Sequence, residues 1–275
     1  MATISCGAPL MKLPVGPGTP ATDAVEALTQ ATMACRGIRT LTAEVAASGK
    51  VNGQRFRVRL SVGVAAPASA RIEAVAPFGA PFFILASQDD DTTLLLPRDD
   101  RVLQHGHSGE VLDAVAGVPL DAAAFRTLLT GCLPEGTAGG TLTEAGPQWR
   151  MLRAIRGDGR VDIYLHRAGG ASQSWQVAAM VRTRVEDING GSLRPNAAWL
   201  AEYRDRANGL PRSVRLVSVD ENGRPNNAFD LTLALSQVET NVPLGADVFH
   251  VNVPRTARPI TLDELRHARP GVREN

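Results

Sequence analysis

The sequence predicts a mainly β protein of the α+β class, a single antiparallel sheet whose strands follow one another through hairpins, with a few short helices against it. Three observations carry that reading. Apolar residues alternate at period two through much of the chain beyond position 39, and turn-forming clusters recur between the alternating runs. Helical periodicity occurs only in short pieces, so nothing supplies the crossovers that a parallel sheet needs. With 275 residues, 44% hydrophobic and 21% charged, the chain is long enough to bury a full core.

The opening MATISCGAPLMKLP places Cys6 behind Ile4 and Ser5. An aliphatic residue and then a small one directly before a cysteine form the cleavage pattern of a bacterial lipoprotein signal, so Cys6 reads as a lipid attachment site. Only five residues precede it, whereas such a signal needs an apolar stretch of roughly 7 to 15; residues 1–5 are read as a signal remnant. Residues 7–21 are rich in proline and glycine and read as a semi-extended tether, so that 1–21 precede the folded domain.

A helix is expected next, with Thr19 as N-cap, Pro20 at the first helical position, Asp23 and Glu26 in the first turns and Gly37 as the stop. It would bury Val25, Leu28, Thr32 and Cys35 on one face. The period then switches. Leu41, Ala43, Val45 and Ala47 alternate with polar residues, Asn52-Gly53 signals a tight turn, and Phe56, Val58, Leu60, Val62 and Val64 alternate beyond it, so a long hairpin is predicted. Arg55, Arg57 and Arg59 fall between these and read as one solvated strand face. Shorter strands follow at 71–75, 82–87, 92–96 and 101–105, separated by AspAspAsp and ProArgAspAsp turns.

Two short amphipathic helices interrupt the strands. Val111, Leu112 and Val115 mark the first, and Phe125, Leu128 and Leu129 the second; Val118-Pro119 divides them, Asp121 caps the second and Gly131 closes it. Strands resume near Gly140 and run through 149–155, 161–166, 175–184, 199–203, 213–219 and 229–238, with a long loop at 185–198. Residues 261–269 read as a helix opened by a capping box from Thr261 to Glu264.

Charge excludes one class of partner. With 29 basic and 28 acidic residues, the net charge of +1 gives no field that would gather nucleic acid. No stretch approaches the ~18 apolar residues of a membrane-spanning helix. Catalytic motifs are missing too: there is no GxSxG elbow, no phosphate loop, no HExxH and no strand followed by GxGxxG, so neither an enzyme nor a cofactor is expected. His105 and His107 could face the same way on a strand, but a metal site needs a third ligand that the sequence does not designate, and no metal is expected. Cys35 and Cys132 are left as either a disulfide, which an oxidising compartment would allow, or two buried thiols.

A strongly curved sheet has a concave face that only bulky side chains, a helix or a ligand can fill, and here the aliphatic faces are long while the aromatic residues number only 12 (3 Trp, 2 Tyr, 7 Phe). The pattern leaves two readings: an apolar hollow lined by Val58, Leu60, Val62, Ile72, Ile84, Leu94 and Leu96, suited to acyl chains, or an interior that is simply packed.

Two stretches carry a resemblance to a family. ArgIleGluAlaValAlaProPheGlyAlaProPhePheIleLeu at 71–85, and the segment 111–134 with Gly117, Pro119, Gly131 and Pro134 at its turns, resemble the outer-membrane lipoprotein receptor of the Lol sorting pathway (LolB) and its relatives. GlyLeuProArgSerValArgLeu at 209–216 and residues 241–254 look like the closing strands and terminal loop of the wider LolA/LolB-like superfamily. The resemblance covers most of residues 22–254 through short motifs. It implies a domain over 22–256 that is an unclosed β-barrel of about eleven strands with helices over its concave face. It also implies binding of acyl chains of lipoproteins or other lipids and their transfer or insertion at a membrane, in the bacterial envelope on the periplasmic side of the outer membrane. Phe78, with Gly79, matches the family's membrane-insertion loop, and Cys6 matches the lipidated cysteine that would anchor the protein to the membrane surface. The loop at 185–198 and the tail at 257–275 fall outside the family pattern. An alternative reading is a membrane-anchored adaptor that docks a protein partner through that tail without moving lipid.

Overall fold

The computed structural model describes residues 9–134, 137, 140–156, 159–167, 174–184, 198–220 and 222–268. Cys6, the greater part of the 185–198 loop and residues 269–275 lie outside them. In chain order the elements are β1 (Thr19–Pro20), α1 (Ala24–Thr32), β2 (Thr40–Val51), β3 (Gln54–Ala65), β4 (Ser69–Val75), β5 (Ile84–Gln88), β6 (Asp91–Leu96), β7 (Arg101–Gly106), α2 (Ser108–Ala116) and α3 (Ala122–Thr130). There follow β8 (Thr141–Glu144), β9 (Trp149–Arg156), β10 (Gly159–His166), β11 (Gln176–Arg184), β12 (Trp199–Ala207), β13 (Leu210–Val219), β14 (Pro225–Thr240), β15 (Arg258–Pro259) and α4 (Leu262–Ala268).

All the strands belong to one sheet in the order β1-β8-β9-β10-β11-β12-β13-β14-β2-β3-β4-β5-β6-β7-β15. The order has two ends and does not close on itself. Every pairing is antiparallel except the last, β15 with β7. The sheet has fifteen strands among the described residues rather than about eleven, partly because two-residue pairings extend both edges.

Alternation decides which side each residue faces. Phe56, Val58, Leu60, Val62 and Val64 of β3 belong to the core or pack against it, while Arg55, Arg57, Arg59 and Ser61 are exposed. Leu41, Val45, Ile72, Leu94, Ile163, Leu165, Leu216, Leu231 and Leu233 complete the concave side. A second, smaller cluster lies on the convex side, where Met151, Tyr164, Val181, Leu200 and Val219 pack together. Leu10 and Leu13 of the tether cover it. This part of the tether is fixed by the Arg204 guanidinium, which donates to the Pro9 carbonyl at 3.0 Å, and by the Met11 amide, which donates to the buried Glu202 carboxylate.

The first helix departs from the sequence expectation. Thr19 and Pro20 do not start a helix: they pair with Thr143 and Glu144 at the sheet edge, a place where a proline without an N–H is tolerated. Helix α1 begins only at Ala24, and Val25 is 81% exposed. Its inner face is built from Ala24, Ala27 and Ala31 beside Leu28, and the three alanines are small enough for the helix to sit close to β11. Later boundaries agree better. The Asp121 side chain accepts from the Ala124 amide at 2.6 Å, Gly131 ends α3 in the left-handed region, and Thr261 and Glu264 form the reciprocal capping box.

Residues 257–268 continue the same body. β15 extends the sheet at β7, α4 packs on α2, and Ile260 and Leu265 are buried in the core.

Candidate functional site

Strand register defines two ends of the curved wall. One carries the β2–β3 turn at Asn52-Gly53, the β4–β5 loop over 76–83, the β6–β7 turn over 97–100 and the start of β14, since Phe229 stands opposite Val51. This is the mouth end. Helix α2 runs toward it and stops at Gly117, whose φ of +70° places it in the left-handed region. A Cβ there would stand 2.7 Å from a Val51 methyl, so two separate constraints call for glycine. The chain then turns through Val118 to Asp121, and α3 runs back toward the opposite end. There Gly131 lies against Tyr203 and Pro211.

Beneath this helical hairpin lies a cavity of about 150 Å³. Its floor is the inward face of β2, β3, β4 and β14, with Val58, Leu60, Ile72, Leu231 and Leu233; its roof is Leu112, Ala114, Val118, Leu120 and Phe125. Phe56, Phe82 and Phe83 stand along it, and Asn52, Gln54 and Arg55 supply polar groups at the mouth end. An apolar space of this size takes a benzene-sized guest. A longer chain therefore needs the roof to lift.

The expected lining is only partly brought together. Val58, Leu60 and Ile72 line the cavity. Val62, Leu94 and Leu96 face inward but are packed in the core elsewhere. Ile84 is a correction: it stands opposite Glu73 and Leu95, whereas its neighbour Leu85 aligns with the inward Ile72 and Leu94. A one-residue step reverses the face of a strand residue, and PhePheIleLeu offers no polar alternation to fix it. The roof residues of α2 were legible as an amphipathic face, but nothing in the pattern said that this face would stop short of the floor.

Phe78 projects from the mouth-end loop and is 90% exposed, next to Gly79 at φ +76°. The loop is held by Arg98 of the β6–β7 turn, which donates to the Ala80 carbonyl at 3.0 Å and the Phe78 carbonyl at 3.3 Å. The same guanidinium sits 4.1 Å over the Phe82 ring. A rigid base thus presents one exposed aromatic side chain beside the cavity mouth.

At the far end, Cys35 and Cys132 are joined with a Cα–Cα distance of 5.6 Å, tying the segment after α1 to the end of α3. Farther round the wall, α1 covers a polar plug. Arg150, almost fully buried, donates to both oxygens of Asp23 at 2.6 and 3.0 Å and lies 4.6 Å from the Trp175 ring. These hydrogen bonds hold the Asp23 carboxyl below its ordinary value, against the opposing effect of burial.

His105 and His107 are exposed and turn to Asp91 and Asp90, respectively, at 3.2 and 2.7 Å; the Asp90 hydrogen bond raises the His107 pKa. Among the described residues no three His, Cys, Asp or Glu side chains converge on a point that would hold a metal ion. No helix among them is long and apolar enough to cross a membrane.

No protein-family model matches this sequence, and no curated protein matches it either. Solved structures do. A domain assigned to outer membrane lipoprotein sorting, from Vibrio parahaemolyticus, superposes with a TM-score of 0.51 at 11% identity, over 82% of this chain and 97% of that one. A LolA superfamily protein from Nitrosomonas europaea does so with a TM-score of 0.50 at 12% identity, over 84% of this chain and 99% of the other. At such identities the likeness shows the fold, an unclosed antiparallel barrel of the LolA type.

Proposed function

We propose that this protein binds the acyl chains of a lipoprotein or another lipid in the cavity beneath α2 and α3, and assists their transfer or insertion at a membrane surface. The observation that carries the reading is the pairing of an apolar cavity with the projecting Phe78 at one end of the wall. Burying methylene groups is favourable by about 0.8 kcal/mol each, so a space lined mostly by apolar side chains selects hydrocarbon over polar ligands. The elbow at 117–121 is the part that must lift to admit a full chain.

The fold likeness supports a carrier, and the resemblance at 71–85 supports Phe78 and Gly79 as a membrane-insertion loop. Lipid attachment at Cys6 and an outer-membrane, periplasm-facing location belong to the same proposal. The adaptor reading has less behind it, because α4 places Leu265 in the core.

Displacement of a fluorescent fatty acid tests the reading. The protein is expected to bind it saturably, and Ala114→Phe, which fills the roof, should weaken binding about tenfold or more while Leu96→Met, outside the cavity, leaves it unchanged. Absence of saturable binding, or an Ala114→Phe variant that binds as well as the parent, would sink the proposal.

A further inference from the structure

The outer face of the β2–β3 hairpin is electrically lopsided. Toward the mouth, Lys50 stands opposite Arg55, Ser48 opposite Arg57 and Ala46 opposite Arg59, and Arg59 is flanked on its other side by Val75. The three arginines are exposed and follow one another at intervals of about 7 Å. None of these four cations has a carboxylate partner among the described residues. The nearest acid in the ladder, Asp230 opposite Lys50, is engaged by Arg215 at 2.8 Å. One outward position beyond Arg59 the signs reverse: Glu44 and Glu73 flank Ser61 and, with Glu239 farther from the mouth, line a groove in which Arg71 is already paired with Glu73. Two exposed apolar side chains adjoin the positive end of this face, Val75 at 44% and Phe78 at 90%.

We infer that the mouth end docks on an anionic lipid surface, with Lys50, Arg55, Arg57 and Arg59 against phosphate headgroups and Phe78 in the acyl layer. Alternation alone reads the arginines as a solvated face. Register adds Lys50 and Val75 to them and puts the Phe78 loop at their end. A soluble polyanion would use the cations but give Phe78 nothing to enter, and a neutral bilayer would use Phe78 but not the cations. The combination fits a surface with both, and the acidic groove lies on the side of the arginines away from the mouth. The purpose of docking rests on the lipid-binding proposal; the docking itself does not require a filled cavity.

Cosedimentation of the full chain with vesicles of about 30% phosphatidylglycerol in phosphatidylcholine, or of phosphatidylcholine alone, tests the inference. Binding to the anionic vesicles should be clear and should fall steeply between 50 and 500 mM salt. Each surface cation contributes about fivefold, so the Arg57→Glu, Arg59→Glu double variant, which leaves the cavity lining intact, should lose about twenty-fivefold or more. Phe78→Ser should lose about tenfold on the anionic vesicles. Fatty-acid displacement by both variants should match the parent, which shows that they fold. Equal binding to neutral and anionic vesicles, or salt-insensitive binding by the parent, overturns the inference without any variant. Retention on heparin with no binding to vesicles makes the surface a polyanion site and overturns it too. Failure of the cavity proposal would show separately, as loss of fatty-acid binding by the parent protein.

Discussion

Between β8 and β13 the concave face is filled by large side chains and a buried ion pair, whereas between β2 and β4 two helices cover it and leave a void. On the filled side Trp175, Trp199 and Tyr203 point inward and α1 lays Asp23 across Arg150. On the hollow side the inward residues are mostly Ala, Val, Leu and Ile, with Phe56, Phe82, Phe83 and Phe125 along the cavity. The backbone architecture is continuous across both. Side-chain volume, and how closely a helix can approach, decide whether curvature yields packing or space. Alanines on the inner face of α1 let it approach the wall. The α2–α3 hairpin meets the wall closely at Gly117, against Val51, and at Gly131, against Tyr203 and Pro211, and the cavity lies under the residues around its turn.

The comparison can be broken at the link between its parts. Replacing Cys35 and Cys132 by serine opens a connection across 97 residues of chain and should cost about 4 kcal/mol in chemical denaturation, most of it through the unfolded chain. Next in size, Arg150→Ala removes the cation of the filled side and strands Asp23, with an expected loss of about 3 kcal/mol. A matched pair sharpens the contrast further. Ala201→Leu, on the filled side, should cost about 2 kcal/mol by overpacking, while Ala114→Leu, over the void, should be within about 1 kcal/mol of the parent. Equal costs would mean that the two sides are packed alike.

The smallest effect concerns acid. Arg150 depresses the Asp23 pKa in the folded protein, so the stabilisation is complete above the unfolded value near 3.8 and is lost as pH falls through the folded one. Denaturation between pH 5 and 2 should show a slope that Asp23→Asn reduces, and Ala114→Leu should leave that slope as it is.

Much of this wall was legible in advance. The β2–β3 hairpin, its inward set and the turn at Asn52-Gly53 follow from strict alternation, and the caps at Asp121 and Thr261 follow from residue type and spacing. What was not legible depends on distance between elements. Pro20 is as good a first helical residue as it is an edge-strand residue, and only the arrival of Thr143 and Glu144 beside it decides. Val25 outranks Ala27 in hydrophobicity, yet Ala27 is the one buried, because closeness to β11 favours the smaller side chain. Periodicity assigned Leu94 and Leu96 to the correct face but not to a place along it, which is why they are core and not cavity.

One covalent bond gives the molecule an unusual wiring. Between Cys35 and Cys132 lie all of β2 through β7 and both helices of the roof, so the floor from β2 to β4 and the cover share a single macrocycle, to which β14 adds its strand from outside. A protease that nicks the Phe78 loop would leave both fragments fastened together until a reductant is added. Gels run with and without thiol would reveal that ring directly.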